Sequence, residues 1–66
     1  MTIEEFEQKV EEINGKGEWF RVVYHSLYKE KCIKLETRMD EFICCGENFN
    51  EAFNNVLDLM LLRREQ

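Results

Sequence analysis

Proline is absent from this chain, and glycine occurs only three times in 66 residues. No Pro-, Gly- or Ser-rich linker, low-complexity tract or internal repeat interrupts it. Nothing divides the sequence, so residues 1–66 are expected to form a single domain. No apolar run approaches the roughly 18 residues that would span a bilayer. A secretory leader needs a basic start and an apolar stretch, whereas MTIEEFEQKVEE is acidic and amphipathic. A cytoplasmic location with no membrane contact is the expectation. Cysteine is sparse and odd in number, at three, with no framework spacing. A disulfide-stapled secreted domain would usually carry an even set, so free thiols are expected.

Catalytic motifs are missing too. His25 is the only histidine, and no HExxH, GxxxxGK or GxGxxG occurs. Without a recognisable acid, base and nucleophile, an enzyme is not expected. Asp40-Glu41 and the helical set Glu4, Glu7 and Glu11 read as solvated carboxylates. The adjacent pair Cys44-Cys45 invites a metal reading. Successive strand residues point to opposite faces, so the two sulfurs cannot share an ion. His25 and Cys32 share a predicted face, and one cysteine of the third strand could join them, giving at most three ligands without finger-like spacing. Small buried strand residues are the favoured reading of the cysteines, with no metal and no cofactor.

What is present fits a small globular protein. A chain this short buries only about 60% of its unfolded surface, so its core is thin. Five Phe, two Tyr and one Trp supply bulky material for that core. The net charge of −5 is segregated along the chain. Residues 1–18 carry six acids and two bases, residues 19–39 five bases and two acids, and residues 40–66 six acids and two bases. Overall acidity disfavours non-specific nucleic-acid binding, which is driven by counterion release at Lys and Arg. The basic middle still allows a local basic face.

A helix is predicted from Thr2 to Ile13. Thr2 and Glu5 fit a capping box, Ile3, Phe6, Val10 and Ile13 form one apolar stripe, and Asn14-Gly15 can end the helix. EWFRVVYHSLY and CIKLETRM then switch to strand alternation. Phe20, Val22, Tyr24, Ser26, Ile33, Leu35 and Thr37 share the core face. Trp19, Arg21, Val23, His25, Cys32, Lys34, Glu36 and Arg38 share the other. A turn at Lys29-Glu30 would set Tyr24 opposite Leu35, Val22 opposite Thr37, Ser26 opposite Ile33, His25 opposite Lys34 and Val23 opposite Glu36. A third strand from about Glu41 to Cys45 follows a tight turn at Asp40, with either Phe42 and Cys44 or Ile43 and Cys45 facing inward. Gly46 ends the sheet, and Asn48 or Asn50 caps a second helix. There Phe49, Phe53, Val56, Leu57, Met60 and Leu61 fall on an arc of about 140°, with Leu59 and Leu62 outside it.

These elements predict an α+β fold: a two-layer α-β-β-β-α domain whose three-stranded antiparallel meander carries both helices on one face. The other face would then be open. Its candidate partner-binding residues are Trp19, Arg21, Val23, His25, Lys34 and Arg38. Val23, and Ile43 if it points outward, add apolar area that suits a protein partner. Basic residues interleaved with an aromatic and a histidine would alternatively suit RNA. Leu59 and Leu62, with Ala52, widen one flank of the last helix and are candidates for homodimer contact. The acidic helices could also imitate a phosphate backbone towards a nucleic-acid-acting protein.

Two families share features with this chain. The α-β-β-β-α order resembles the double-stranded-RNA-binding domain. Where that family carries a basic Lys-Lys-x-x-x-Lys stretch, this chain reads ENFNEAF, so that mode of RNA contact is not implied. The segment CCGENFNEAFNNVLDLM, residues 44–60, resembles the strand-glycine-helix segment of HicB-type antitoxins, with Gly46, Glu51 and Ala52 at matching places. HicA-type toxins share the element order, but their Gly-Ser-His motif is absent around His25. The resemblance implies a small non-enzymatic regulator or inhibitor of antitoxin, phage or mobile-element type. Its expected partner is a protein such as a toxin or nuclease, with nucleic acid as the alternative.

Overall fold

The computed structural model describes residues 1–65 other than Tyr28, and Leu27 through its backbone only. Its order is α1 (Ile3–Asn14), β1 (Phe20–Leu27), β2 (Glu30–Thr37), β3 (Glu41–Gly46) and α2 (Phe49–Arg64). The strands form one antiparallel sheet in the order β1-β2-β3. The fold is α+β, with both helices on one face of the sheet.

Local chemistry sets the helix ends. Thr2 caps α1, accepting a hydrogen bond from the Glu5 amide at 3.1 Å, and the Glu5 carboxylate completes the capping box. Gly15 ends the helix at φ 117°, a conformation that side chains with a Cβ rarely adopt, and its amide donates to the Glu11 carbonyl. Asn48, rather than Asn50, caps α2, accepting from the Glu51 amide at 2.8 Å. Arg63 and Arg64 sit in the last turn of α2, where the helix dipole favours cations. Arg63 pairs with Asp40 at the β2–β3 turn, and Arg64 donates to the Ile13 carbonyl at the end of α1. The Met1 amino group donates to Asn50 at the start of α2. The helices therefore lie side by side and run parallel.

The core is what α2 presses onto the sheet. Ala52, Phe53, Val56, Leu57 and Met60 pack with Ile33 and Leu35 of central β2, and with Phe6 and Val10 of α1. Phe6 stacks on Phe53 with ring centroids 4.4 Å apart, so α1 is held largely through α2. The buried arc of α2 runs from Ala52 to Leu57 and again spans about 140°, but it is turned about 40° from the expected one. Ala52 is buried, and Leu61, expected inside, is exposed. Gly46 causes the turn. A Cβ there would lie 2.9 Å from Glu51 Cβ and 3.1 Å from the Ala52 nitrogen, so only glycine lets the first turn of α2 come this close to β3. Ile3, expected in the α1 stripe, is also exposed.

The strand pairing corrects the predicted register. Val22 lies opposite Leu35, Tyr24 opposite Ile33, His25 opposite Cys32 and Val23 opposite Lys34. This is a shift of two residues, which leaves every side chain on its expected face because strand side chains repeat every two residues. The ladder closes with Leu27 opposite Glu30, so Glu30 belongs to β2 rather than to the turn. Tyr28 lies outside the described residues. At the β2–β3 turn the Thr37 amide donates to the Asp40 carbonyl at 2.8 Å, and the Asp40 amide donates back to Thr37 Oγ1. The phase of β3 is now fixed: Phe42 and Cys44 face the helices, while Ile43 and Cys45 face away.

Tyr24 sits on the core face of edge strand β1, against Phe49 and Phe53, with its hydroxyl donating to Glu7 at 3.4 Å. Burial, reinforced by the nearby Glu7 carboxylate, pushes its phenol up to about 12. The folded state then keeps a proton that an unfolded tyrosine loses near pH 10, so this contribution is complete below about pH 10 and is lost as pH rises towards 12. An absorbance titration of the folded protein should show a phenol step near pH 12 that a Tyr24→Phe variant lacks. Ionisation of every phenol near pH 10 in the folded protein would contradict this placement.

Gly46→Ala tests the corner. The added methyl must push against α2, so the variant should lose about 1–3 kcal/mol in urea unfolding. The whole domain has roughly 3–10 kcal/mol at about 0.05–0.15 kcal/mol per residue. An unchanged urea midpoint would show that α2 is not seated on Gly46.

Candidate functional site

Among the described residues no helix covers the second face of the sheet. Its residues fall into three rows across the strands, because antiparallel partners stand side by side. The first row is Arg21, Glu36 and Glu41, the second Val23, Lys34 and Ile43, and the third His25, Cys32 and Cys45. Of the six residues expected to form a binding face, Arg21, Val23, His25 and Lys34 are together here. Trp19 and Arg38 are not in the strands. They line a cleft at the end of the sheet with Asn14, Thr37 and Met39, where Arg38 pairs with Glu18 at 3.7 Å. Trp19 is half-exposed and Met39, 91% exposed, stands beside it.

The first two rows are electrically balanced. Arg21 donates to Glu36 at 3.0 Å, and Lys34 reaches Glu36 at 3.1 Å and Glu41 at 3.5 Å. The hydrogen bond from Lys34, then that from Arg21, holds the Glu36 carboxyl below the usual range. Glu36 in turn holds the Lys34 ammonium above its usual range, with Glu41 adding to it. The Glu36–Lys34 pair thus stays charged over a wider pH range than either group would alone. It loses its carboxylate only as pH falls through the lowered Glu36 value, and its ammonium only as pH rises through the raised Lys34 value. All three expected cations of this region, Arg21, Lys34 and Arg38, have carboxylate partners.

Two apolar side chains flank Lys34 in the second row. Ile43 is 62% exposed, and Val23 lies across Lys34 from it, partly exposed. Sequence reading left Ile43 undecided because either phase of β3 gave one apolar and one cysteine residue per face. Packing decides the phase: Phe42 fills the space beside Leu35 on the core side.

The third row differs from expectation. Cys32 and Cys45 are bonded to one another rather than free. They stand directly opposite on β2 and β3 with Cα atoms 4.0 Å apart, a pairing the sequence could not reveal before the register was known. The bridge closes a loop with a sequence separation of 13, which removes about 3 kcal/mol of unfolded-state chain entropy. Cys44 alone is free. It faces α2, and burial pushes its thiol up, so it is a poor nucleophile.

Leu59 and Leu62 are exposed on α2 as expected, but Ala52 is not with them. Leu61 adds a third exposed leucine on the opposite flank, by the groove between the helices that also exposes Lys9 and Asp58. Among the described residues no helix is long and apolar enough to cross a membrane. Comparison with protein-family models, with curated proteins and with solved structures finds no match to this chain.

Proposed function

We propose that this chain is a small non-enzymatic regulator or inhibitor that docks a partner protein on the open face of its sheet. The observation carrying this reading is Ile43, a large aliphatic side chain exposed on edge strand β3, in the middle row of a face that no helix among the described residues covers. At 62% exposure an isoleucine there buries little of its side chain in the fold. Across a protein interface it supplies an apolar anchor, with the Arg21–Glu36–Lys34–Glu41 cluster next to it and Val23 on the far side of Lys34. The same cluster argues against nucleic acid, since cations already matched by carboxylates have little counterion release to offer.

The chemistry of the partner follows from charge. The chain carries −5, and α1 holds most of it, with five glutamates against Lys9, whereas Glu51 and Asp58 of α2 are matched by Arg63 and Arg64. Such a field steers towards a basic protein, and proteins that act on nucleic acid, such as nucleases and toxins, present basic surfaces. The resemblance of residues 44–60 to HicB-type antitoxins supports the same class, as does the small size common among phage and mobile-element regulators. The reading places the chain in the cytoplasm, where such partners work. Homodimer contact through Leu59 and Leu62 is a separate surface on α2.

Affinity capture should be run in parallel with the wild type, Ile43→Arg and Leu62→Arg. The expected result is one protein retained by the wild type and by Leu62→Arg. Ile43→Arg should deplete it roughly tenfold or more, the loss of an anchor worth about 1.4 kcal/mol. Retention indifferent to Ile43 contradicts docking on the sheet. Retention of nucleic acid alone at low salt contradicts the choice of a protein partner.

A further inference from the structure

The third row of the open face contains more than a disulfide. Glu30 lies two residues before Cys32 on β2, so its side chain rises from the same face. One Glu30 carboxylate oxygen and the sulfurs of Cys32 and Cys45 lie within 4.8 Å of one another. His25 stands directly across from Cys32 on β1. Two thiols, a carboxylate and an imidazole are thus gathered on adjacent strands at one end of the sheet.

We infer that this row is a redox-gated site for a thiophilic divalent cation of the zinc type, held by Cys32, Cys45, Glu30 and His25. Four donors of these kinds satisfy a tetrahedral ion, whose ligand atoms stand about 3.3–3.8 Å apart given bonds of roughly 2.0–2.3 Å. The three donors already within 4.8 Å need only small rotamer changes, and His25, across from Cys32 but outside that group, would swing in as the fourth. Strand residues supply all four, and paired strands are rigid supports. Cys44 is excluded, because it faces α2.

The disulfide is the closed state of the gate. A dithiol, the reductant class of a reducing compartment, gives two electrons and two protons to the Cys32–Cys45 bond and becomes a disulfide itself. The two thiols then release their protons to solvent as the cation takes both sulfurs. A small-molecule disulfide reverses the sequence: it takes the two electrons from the two thiolates, with two protons from solvent, and leaves as thiols, while the re-formed Cys32–Cys45 bond expels the ion. Cys45 is exposed at the surface, open to attack by a dithiol, while Cys32 is 7% exposed behind it. Cytosolic disulfides are usually transient or redox-sensing, so this inference rests on the cytoplasmic placement for its reductant, but not for the binding itself. The ion would also replace the bridge as the tie between β2 and β3.

Cobalt(II) replaces zinc in such sites and reports thiolate ligation by a charge-transfer band in the near ultraviolet. The chain, reduced with a phosphine and freed of it, should bind one cobalt(II) with that band, and zinc should abolish the band by displacement. The oxidised chain should show none. Cys45→Ser should remove the band, Cys44→Ser should leave it intact, and Glu30→Gln or His25→Gln should each weaken binding about tenfold or more. Far-ultraviolet circular dichroism on the same samples tracks the fold, and a reduced chain that folds only when zinc is added also supports the site. No thiolate band from the reduced chain, a band that survives Cys45→Ser, or one lost in Cys44→Ser would overturn it. Neither result bears on Ile43, so the site and the docking face stand or fall separately.

Discussion

The seating of α2 on the sheet is the contact from which the rest of this molecule follows. Gly46 leaves room for the Glu51–Ala52 backbone, and the helix settles with Ala52, Val56 and Met60 along its buried side. That orientation brings Phe53 to where Phe6 can stack on it, which gives α1 its place beside α2. Ile33 and Leu35 on the central strand are then wholly covered. Both helices are spent on the apolar side of the sheet, and among the described residues no element covers the opposite face.

That uncovered face is organised by the strand register rather than by any local motif. Its rows grade from charged residues, through a row with Val23 and Ile43 either side of Lys34, to the row of His25 and the Cys32–Cys45 disulfide. The charged cluster neutralises itself, so the face has little attraction for phosphates despite the basic middle of the sequence. Its apolar part is small: Val23 and Ile43 stand on the two edge strands with Lys34 between them. On the far side, α1 carries five glutamates against one lysine and adds a long-range negative field.

Much of this was legible in the sequence. The capping box at Thr2 and Glu5, the Asn14-Gly15 stop and the switch from helical to strand period are short-range signals, and each is realised in its expected place. Face assignments of β1 and β2 also hold, because alternation fixes parity. Register does not follow from parity, since a slip of two residues keeps all faces unchanged. The missed disulfide has another cause: the phase of β3 left open whether Cys44 or Cys45 shares a face with Cys32, and three cysteines without framework spacing read as free thiols. The turn of α2 about its axis was hidden because Ala52 and Leu61 are both apolar, and only the close approach at Gly46 selects the smaller one. Trp19 and Arg38 were placed on the sheet by extending alternation past the strand ends, where Glu18 and the Thr37 turn draw the chain aside.

Two isoleucines on adjacent strands test the account most directly. Ile33 and Ile43 have the same side chain, but Ile33 lies under α2 and Ile43 lies on the open face. Methyl NMR with a soluble paramagnetic relaxation agent measures their exposure in solution. The account predicts strong relaxation of the Ile43 methyls and near-complete protection of the Ile33 methyls at the same agent concentration. Equal protection of the two would mean that the second face is covered in the free protein, and the docking surface described for it would not exist.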